Sequence, residues 1–438
     1  MIYLILFLSL VLRLISINQS LWLDEATTAL VSRMPIADFF TKFMPADFHP
    51  PLYYLAIHYW TVLFGTSEIS LRIPSVLFGV ATVYVVYLIA KDLRYKYPLV
   101  PALFLATSGL HIYYSQEARM YGLVTFLVCF LILCFIRNQW KVFSILLALV
   151  FLTDYLAVLI IPALFTYVLL YKREYFKKLF ISLIPFSITF VFWLPTFYKQ
   201  ISSGIALKER SSGWWSILGP VTFKNIALIP TKFMIGRITF DDKYLYFGLI
   251  ALISVVFVYQ MLRSKNKLIW SWFLASLVFG IILSFFIPTL TYFRYLFILP
   301  AFYLLISESI SKRLVYIILV INLLSTSYYL FNSNFHRENW RELAETIGQE
   351  KIILPSQSQK EALIYYDKEK QIVSMDEFKN SGIPQVWLSR YVWEIFDSSD
   401  STRLQIVDLG YNKVQEINLN GVVFFKYASK QSLPLDVQ

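Results

Sequence analysis

Apolar stretches of about 18 or more residues recur through the first three quarters of this chain, each long enough to cross a hydrocarbon core as a helix. That recurrence constrains the fold more than any other feature: the chain reads as a polytopic α-helical membrane protein. Composition agrees. Of 438 residues, 58% are hydrophobic and 15% charged, where soluble domains average about a quarter charged. Mean hydropathy is +0.60.

The formal net charge of +11 does not call for nucleic acid, because the cytoplasmic loops of membrane proteins collect Lys and Arg. Cys129 and Cys134 lie in one apolar run, five residues apart on a helix, where they do not face each other. No disulfide and no thiolate metal site is expected. The opening run "MIYLILFLSLVLRLISINQS" lacks a basic start and a small-x-small cleavage site, so it reads as a retained first helix.

The spans follow from the runs and their flanks. Helix one covers about Ile2–Ile17, then come "RIPSVLFGVATVYVVYLIA", "PLVPALFLATSGLHIYY" and "LVTFLVCFLILCF". The basic clusters "KDLRYKY" and "RNQWK" mark the cytoplasmic side, leaving 18–70 and 113–122 outside. The 30 or so residues from Val142 to Tyr171 have basic clusters at both ends, so a helical hairpin turning near "LTDY" is expected, with Asp154 at the outer interface. Continuing the alternation gives about eleven transmembrane helices, N-terminus inside, in a multi-pass plasma-membrane topology.

After about Phe331 the pattern changes. "NWRELAETIG" and "SQKEALIYYD" read as helices, and "KIILP", "QIVSM", "PQVWLSR" and "GVVFFKYA" as strands. The expectation is a transmembrane domain, 1–330, followed by a small extracytoplasmic α/β domain, 331–438.

The unusual polar residues gather on the outer face. In "SLWLDEATTAL", Asp24 and Glu25 follow a tryptophan and leucines, where partial burial raises a carboxylate's basicity. Either they are a solvated helix exit, or one serves as general base while its neighbour, about 100° around the helix, ties to the scaffold. In "FHPPLYYL", His49 has three readings: phosphate donor, metal ligand or cap. His58 reads as packing. In "YYSQEARMYG", Glu117 and Arg119 are either an interfacial pair or a phosphate-binding Arg with an orienting carboxylate. Arg294 in "TYFRYLF", and Arg13 near the outer end of helix one, either snorkel or bind an anion. Arginines beside carboxylates at headgroup depth suit transfer from a lipid-linked phosphosugar, with a base for the acceptor hydroxyl and positive charge for the departing phosphate.

"SLWLDEA", "HPPLYYLAIHYWTVLFGTSEISLRIPSVLFG" and "HIYYSQEARMYGL", in that order, resemble the GT-C membrane glycosyltransferases. Within them the chain is similar to the protein mannosyltransferase-like group (glycosyltransferase family 39 and bacterial relatives) and, more distantly, to the lipid A aminoarabinose transferases. The resemblance covers about 13–125 and continues more weakly to about 340, through "FRYLFILP" and "NWRELAE". It implies Asp24 as catalytic base with Glu25 as its neighbour, and Glu117 and Arg119 as the acidic and Arg residues of the second outer loop; to these the residues themselves add Arg294 and His49, with Arg119, as candidates for the donor phosphate. It further implies a polyprenyl-phosphate sugar donor, no nucleotide sugar and inversion at the anomeric carbon. The acceptor would be a hydroxyl of a cell-envelope glycan, lipid or protein. Metal dependence varies among such enzymes; a divalent ion on His49 with Asp24 or Glu25 stays open.

"GWWSILGP" lacks a WWDYG motif, which disfavours en bloc transfer of a large glycan, and the short C-terminal module is unlike a β-trefoil, which leaves protein as acceptor in doubt. The competing class is a transporter or flippase of lipid-linked sugar. It predicts mid-span charges and internal repeats. Here the charges sit mainly at helix ends and no repeat is found.

Overall fold

The computed structural model describes residues 1–210 and 218–429; most of the "KERSSGWWSILGP" stretch, 208–220, lies outside them. The chain forms two compact units. One comprises Met1–Ile17, Pro35–Ile205 and Ile217–Phe335. The other comprises Asn18–Met34, a short piece beginning at Ala206, and the chain from His336 onward. The segment that carries Asp24 and Glu25 is thus folded with the C-terminal residues.

The first unit is helical. Its elements are α1 (Ile2–Leu14), α3 (Leu52–Phe64), α4 (Glu68–Asp92), α5 (Leu99–Ala106), α6 (Gly109–Ser115), α7 (Tyr121–Ile136), α8 (Trp140–Phe151), α9 (Ile160–Tyr171), α10 (Ile184–Arg210), α11 (Phe223–Ile235), α12 (Lys243–Leu262), α13 (Lys267–Ser284), α14 (Leu299–Ser307) and α15 (Lys312–Phe331), with α2 (Leu23–Ser32) set in the other unit. Among the described residues, five helices are long and apolar enough to cross a membrane, and several shorter apolar helices accompany them. The helical membrane bundle with a small C-terminal sheet is as expected from the apolar runs.

Two breaks shape the bundle. The Val142–Tyr171 run divides between α8 and α9 at Leu152–Tyr155, where Asp154 Oδ1 accepts from Leu156 N at 2.7 Å. The "PLVPALFLATSGLHIYY" run, expected as one span, is two helices. Thr107 Oγ1 donates to Leu103 O at 2.9 Å, while Asn322 Nδ2 reaches Phe104 O and Thr326 Oγ1 reaches Thr107 O. Side chains of α15 therefore take carbonyls freed at the break, which keeps buried backbone satisfied. Arg13 does not snorkel: it is fully buried, with Nη1 on Ser9 and Ala106 O and Nη2 2.6 Å from His111 Nδ1. Both cysteines are free thiols.

The second unit is built on a five-stranded mixed sheet of order β2-β1-β3-β5-β4. The strands are β1 (Lys351–Ile353), β2 (Ile372–Val373), β3 (Gln385–Ser389), β4 (Tyr411–Leu419) and β5 (Val422–Ser429). β1 runs parallel to β2 and β3; β5 is antiparallel to β3 and β4. Ile353, Val373, Val386, Leu388 and Tyr427 join Phe378 and Ile406 in the core. Helix α16 (Trp340–Ile347) buries Trp340, Leu343, Ala344 and Ile347, one helical face at i, i+3, i+4 and i+7, and Asn339 caps it through Glu342 N.

Candidate active site

The first unit carries a polar cluster built from three connections. "ADFHPP" brings Asp47 and His49 to the start of α3; the backbone N–H of His49 donates to Asp47 Oδ2 at 3.3 Å, and the imidazole Nδ1 lies 3.5 Å from the same oxygen. Gln200 of α10 fixes this loop, donating to Met44 O and His49 O, while its own amide oxygen accepts from Tyr155.

Arg119 enters from the tight turn 116–120 between α6 and α7. It is buried, with Nη1 donating to Tyr54 Oη at 3.2 Å and Nη2 at 3.4 and 3.2 Å from the two ring nitrogens of His49. Reaching both nitrogens places the guanidinium over the ring rather than at one lone pair. The turn itself is tied down by Gln116, whose amide donates to Arg13 O and Ile15 O and whose oxygen accepts from Tyr329 at 2.8 Å.

Asp154 closes the cluster from the α8–α9 connection. Burial raises its carboxyl above the ordinary range, while attraction to His49 and Arg294 opposes that rise. Burial would also raise Asp47, but His49, by charge and hydrogen bond, and the charge of Arg119 bring it below the ordinary value. Arg294 donates to Pro288 O at 3.3 Å and shares Asp154 with His49 as electrostatic partner. Glu117, although in the same turn as Arg119, interacts with Arg237, whose guanidinium stands 4.3 Å from the ring centre of Tyr113. Of the residues expected from sequence, His49, Arg119 and Arg294 share one neighbourhood. Asp47, Tyr54, Gln200 and Arg237 were not anticipated. Asp47, two residues before His49, was visible in principle; the other three come from packing.

Asp24 and Glu25 belong to the second unit, and their environments differ. Glu25 is fully buried and its Oε2 lies 3.5 Å from Arg337 Nε, itself almost wholly buried. Asp24 is partly buried, and its charge helps raise Tyr391 and Glu361, both pushed up first by burial. The segment is docked on the sheet module: Leu21 N donates to Tyr366 Oη at 2.8 Å and Arg341 to Asn18 O at 2.7 Å. Among the described residues, no group of three or more His, Cys, Asp and Glu side chains is placed to hold a metal ion.

Comparison with solved structures decides the fold. ArnT from Cupriavidus metallidurans bound to undecaprenyl phosphate aligns over 99% of this chain and 99% of its own, at a TM-score of 0.59 and 12% identity. Its apo form gives 0.61 over 99% and 98%, also at 12% identity. The oligosaccharyltransferase AglB from Archaeoglobus fulgidus, in complex with an inhibitory peptide and a dolichol-phosphate, gives 0.55 at 13% identity over 99% of this chain and 74% of its own. This is the GT-C fold. Residues 48–198 also match the family described as dolichyl-phosphate-mannose-protein mannosyltransferase. That match takes in His49, Glu117, Arg119 and Asp154 and leaves out Asp24, Glu25 and Arg294. No curated protein sequence matches significantly. The family match therefore takes in His49, Arg119 and Asp154 of the cluster, while Asp47 and Gln200 lie just outside it.

Proposed function

We propose that the protein is an inverting glycosyltransferase that moves a monosaccharide from a polyprenyl-phosphate donor to a hydroxyl acceptor at the outer face of the membrane. The observation that carries this reading is the buried Arg119, backed by Tyr54 and His49, at the head of apolar helices. A guanidinium held there suits a phosphate whose isoprenoid tail lies in lipid. The undecaprenyl phosphate and dolichol-phosphate bound by ArnT and AglB support a donor of that class.

In the proposed reaction the acceptor oxygen attacks the anomeric carbon and its proton passes to Asp24. The bond from that carbon to the phosphate oxygen breaks, and the electron pair leaves with the polyprenyl phosphate. Arg119, Arg294 and His49 stabilise the negative charge that develops there. The phosphate is a good leaving group, so no acid is needed to protonate it. Asp24 is assigned the base by the family resemblance and its partial exposure; Glu25, buried on Arg337, is a positioning residue for the helix that carries Asp24. Glu117 is assigned to the acceptor side, beside Arg237.

The test is Asp24→Asn in membranes supplied with polyprenyl-phosphate-linked sugars. Transfer should fall by at least about 10²-fold, the lower range for a positioned general base. Transfer near the wild-type rate would refute the assignment.

A further inference from the structure

At the far end of α7, α8 and α9 from the Arg119 and Asp154 connections lies a cavity of about 390 Å³, within the range of small-molecule sites. The sixteen residues of α7 alone separate the two ends by roughly 24 Å. Tyr167, Tyr171 and Tyr175 supply an aromatic wall with three phenol hydroxyls, and Lys172, Lys267 and Asn266 bring polar groups to it.

The charges are arranged around the rings. Lys267 Nζ stands 6.0 Å from the centre of Tyr171, Lys172 Nζ 6.0 Å from Tyr175, and Lys178 Nζ 5.6 Å from the same ring. Phe135, which also lines the cavity, and Trp140 pack on Tyr175 at 5.9 and 5.4 Å, which holds that ring in place. Three carboxylates are near, one of them Glu308, whose Oε2 accepts from Asn266 N at 3.1 Å and Lys265 N at 2.9 Å. Asp92 is bound to Arg137 at 2.6 Å, and Glu174 lies 3.4 Å from Lys172 at an exposed position. Among the described residues Lys267 carries no such pair, and the lining itself holds two lysines and no carboxylate. Oδ1 of Asn266 caps the start of α13 through Ile269 N, which fixes this side chain at the rim with its Nδ2 as a donor.

We propose that this cavity binds the phosphate headgroup of an anionic phospholipid from the adjoining leaflet. The cavity opens where the basic connections of the bundle gather, and basic pockets between membrane helices on that side select anionic headgroups. Aromatic rings at headgroup depth accept the glycerol and upper acyl region, while the lysines meet the phosphate. The site is separate from the Arg119 cluster, and the proposal holds whatever reaction that cluster performs.

The test uses the full-length protein purified in detergent, titrated with phosphatidylglycerol or phosphatidylcholine and followed by native mass spectrometry. The wild type should retain phosphatidylglycerol in preference. Lys172→Gln with Lys267→Gln should weaken it by roughly thirtyfold, from two near-surface cations. Lys172→Arg with Lys267→Arg should keep it. Equal retention of the two lipids, or an unchanged preference in the double Gln variant, would overturn the proposal. A third arm adds inorganic phosphate: displacement of the lipid at equal concentration would assign the cavity to a soluble anion and overturn the lipid assignment.

Discussion

Removing the charge of Glu25 should release α2 from the C-terminal module. Glu25 is fully buried and its partner Arg337 nearly so, with Oε2 and Nε 3.5 Å apart, so solvent screens the pair little. Breaking one partner of such a pair costs about 3–5 kcal/mol, because the other charge stays buried while its counter-charge is lost. Each 1.4 kcal/mol is a factor of ten, so Glu25→Gln should raise the population with α2 detached by roughly two to nearly four powers of ten. Hydrogen–deuterium exchange of the Leu23–Ser32 amides reads this directly, since local opening sets their protection. Glu25→Leu with Arg337→Met removes both charges and should recover most of the protection, as buried pairs exchanged for apolar groups often do. Asp24→Asn, one residue away but partly exposed, should leave exchange unchanged while transfer falls. Unaltered protection of α2 in Glu25→Gln would refute the reasoning, and so would lost protection in Asp24→Asn.

Three further outcomes are expected. Arg119→Ala should lower kcat/KM for the lipid-linked donor by roughly 10²–10³-fold, the usual range for one charge-stabilising donor, with Arg119→Lys recovering part; steady-state transfer assays check it, and a change under about threefold would remove Arg119 from the phosphate site. The carboxyl of Asp154 is raised in the folded protein, so the folded state holds that proton more tightly than the unfolded chain. Stability from this group is therefore full below the ordinary carboxylate value of about 3.9 and declines as pH rises towards the raised one. The thermal midpoint of Asp154→Asn should accordingly gain on wild type across that window, since Asn keeps the acceptor for Leu156 N. Gly79→Ala would set a Cβ against Ser115 Oγ and 2.9 Å from Arg13 Nε, an overpacking that costs about 1–3 kcal/mol, visible as a lowered melting midpoint and eased by adding Ser115→Gly.

The helical bundle was legible because apolar length is a local property, and the basic flanks punctuate it. The break at Thr107 was not, since its cause is Asn322 and Thr326, more than two hundred residues away. In the C-terminal module, "KIILP" and "GVVFFKYA" announced themselves as apolar strands. β4, "YNKVQEINL", did not: it is an edge strand with most of its residues exposed and reads as polar coil. Within the site, His49, Arg119 and Arg294 stood out because charge at a helix end is rare in such a chain. Tyr54 and Gln200 did not, because a tyrosine or glutamine among apolar residues carries no signal until folding aims it.

The hold of Gln116 on the turn after α6 bears on how donor binding is driven. A free arginine side chain surrenders up to about 2 kcal/mol of rotational freedom when it is immobilised. Here the backbone beneath Arg119 is pinned by three bonds of Gln116, and the guanidinium already rests on Tyr54 and His49. That ordering takes place during folding, so under the proposed function the donor phosphate would meet a preset shape and the loss would not be repeated at each encounter. Gln116→Ala, which touches no ligand, should therefore weaken donor binding through an entropic signature in calorimetry, with little change in binding enthalpy.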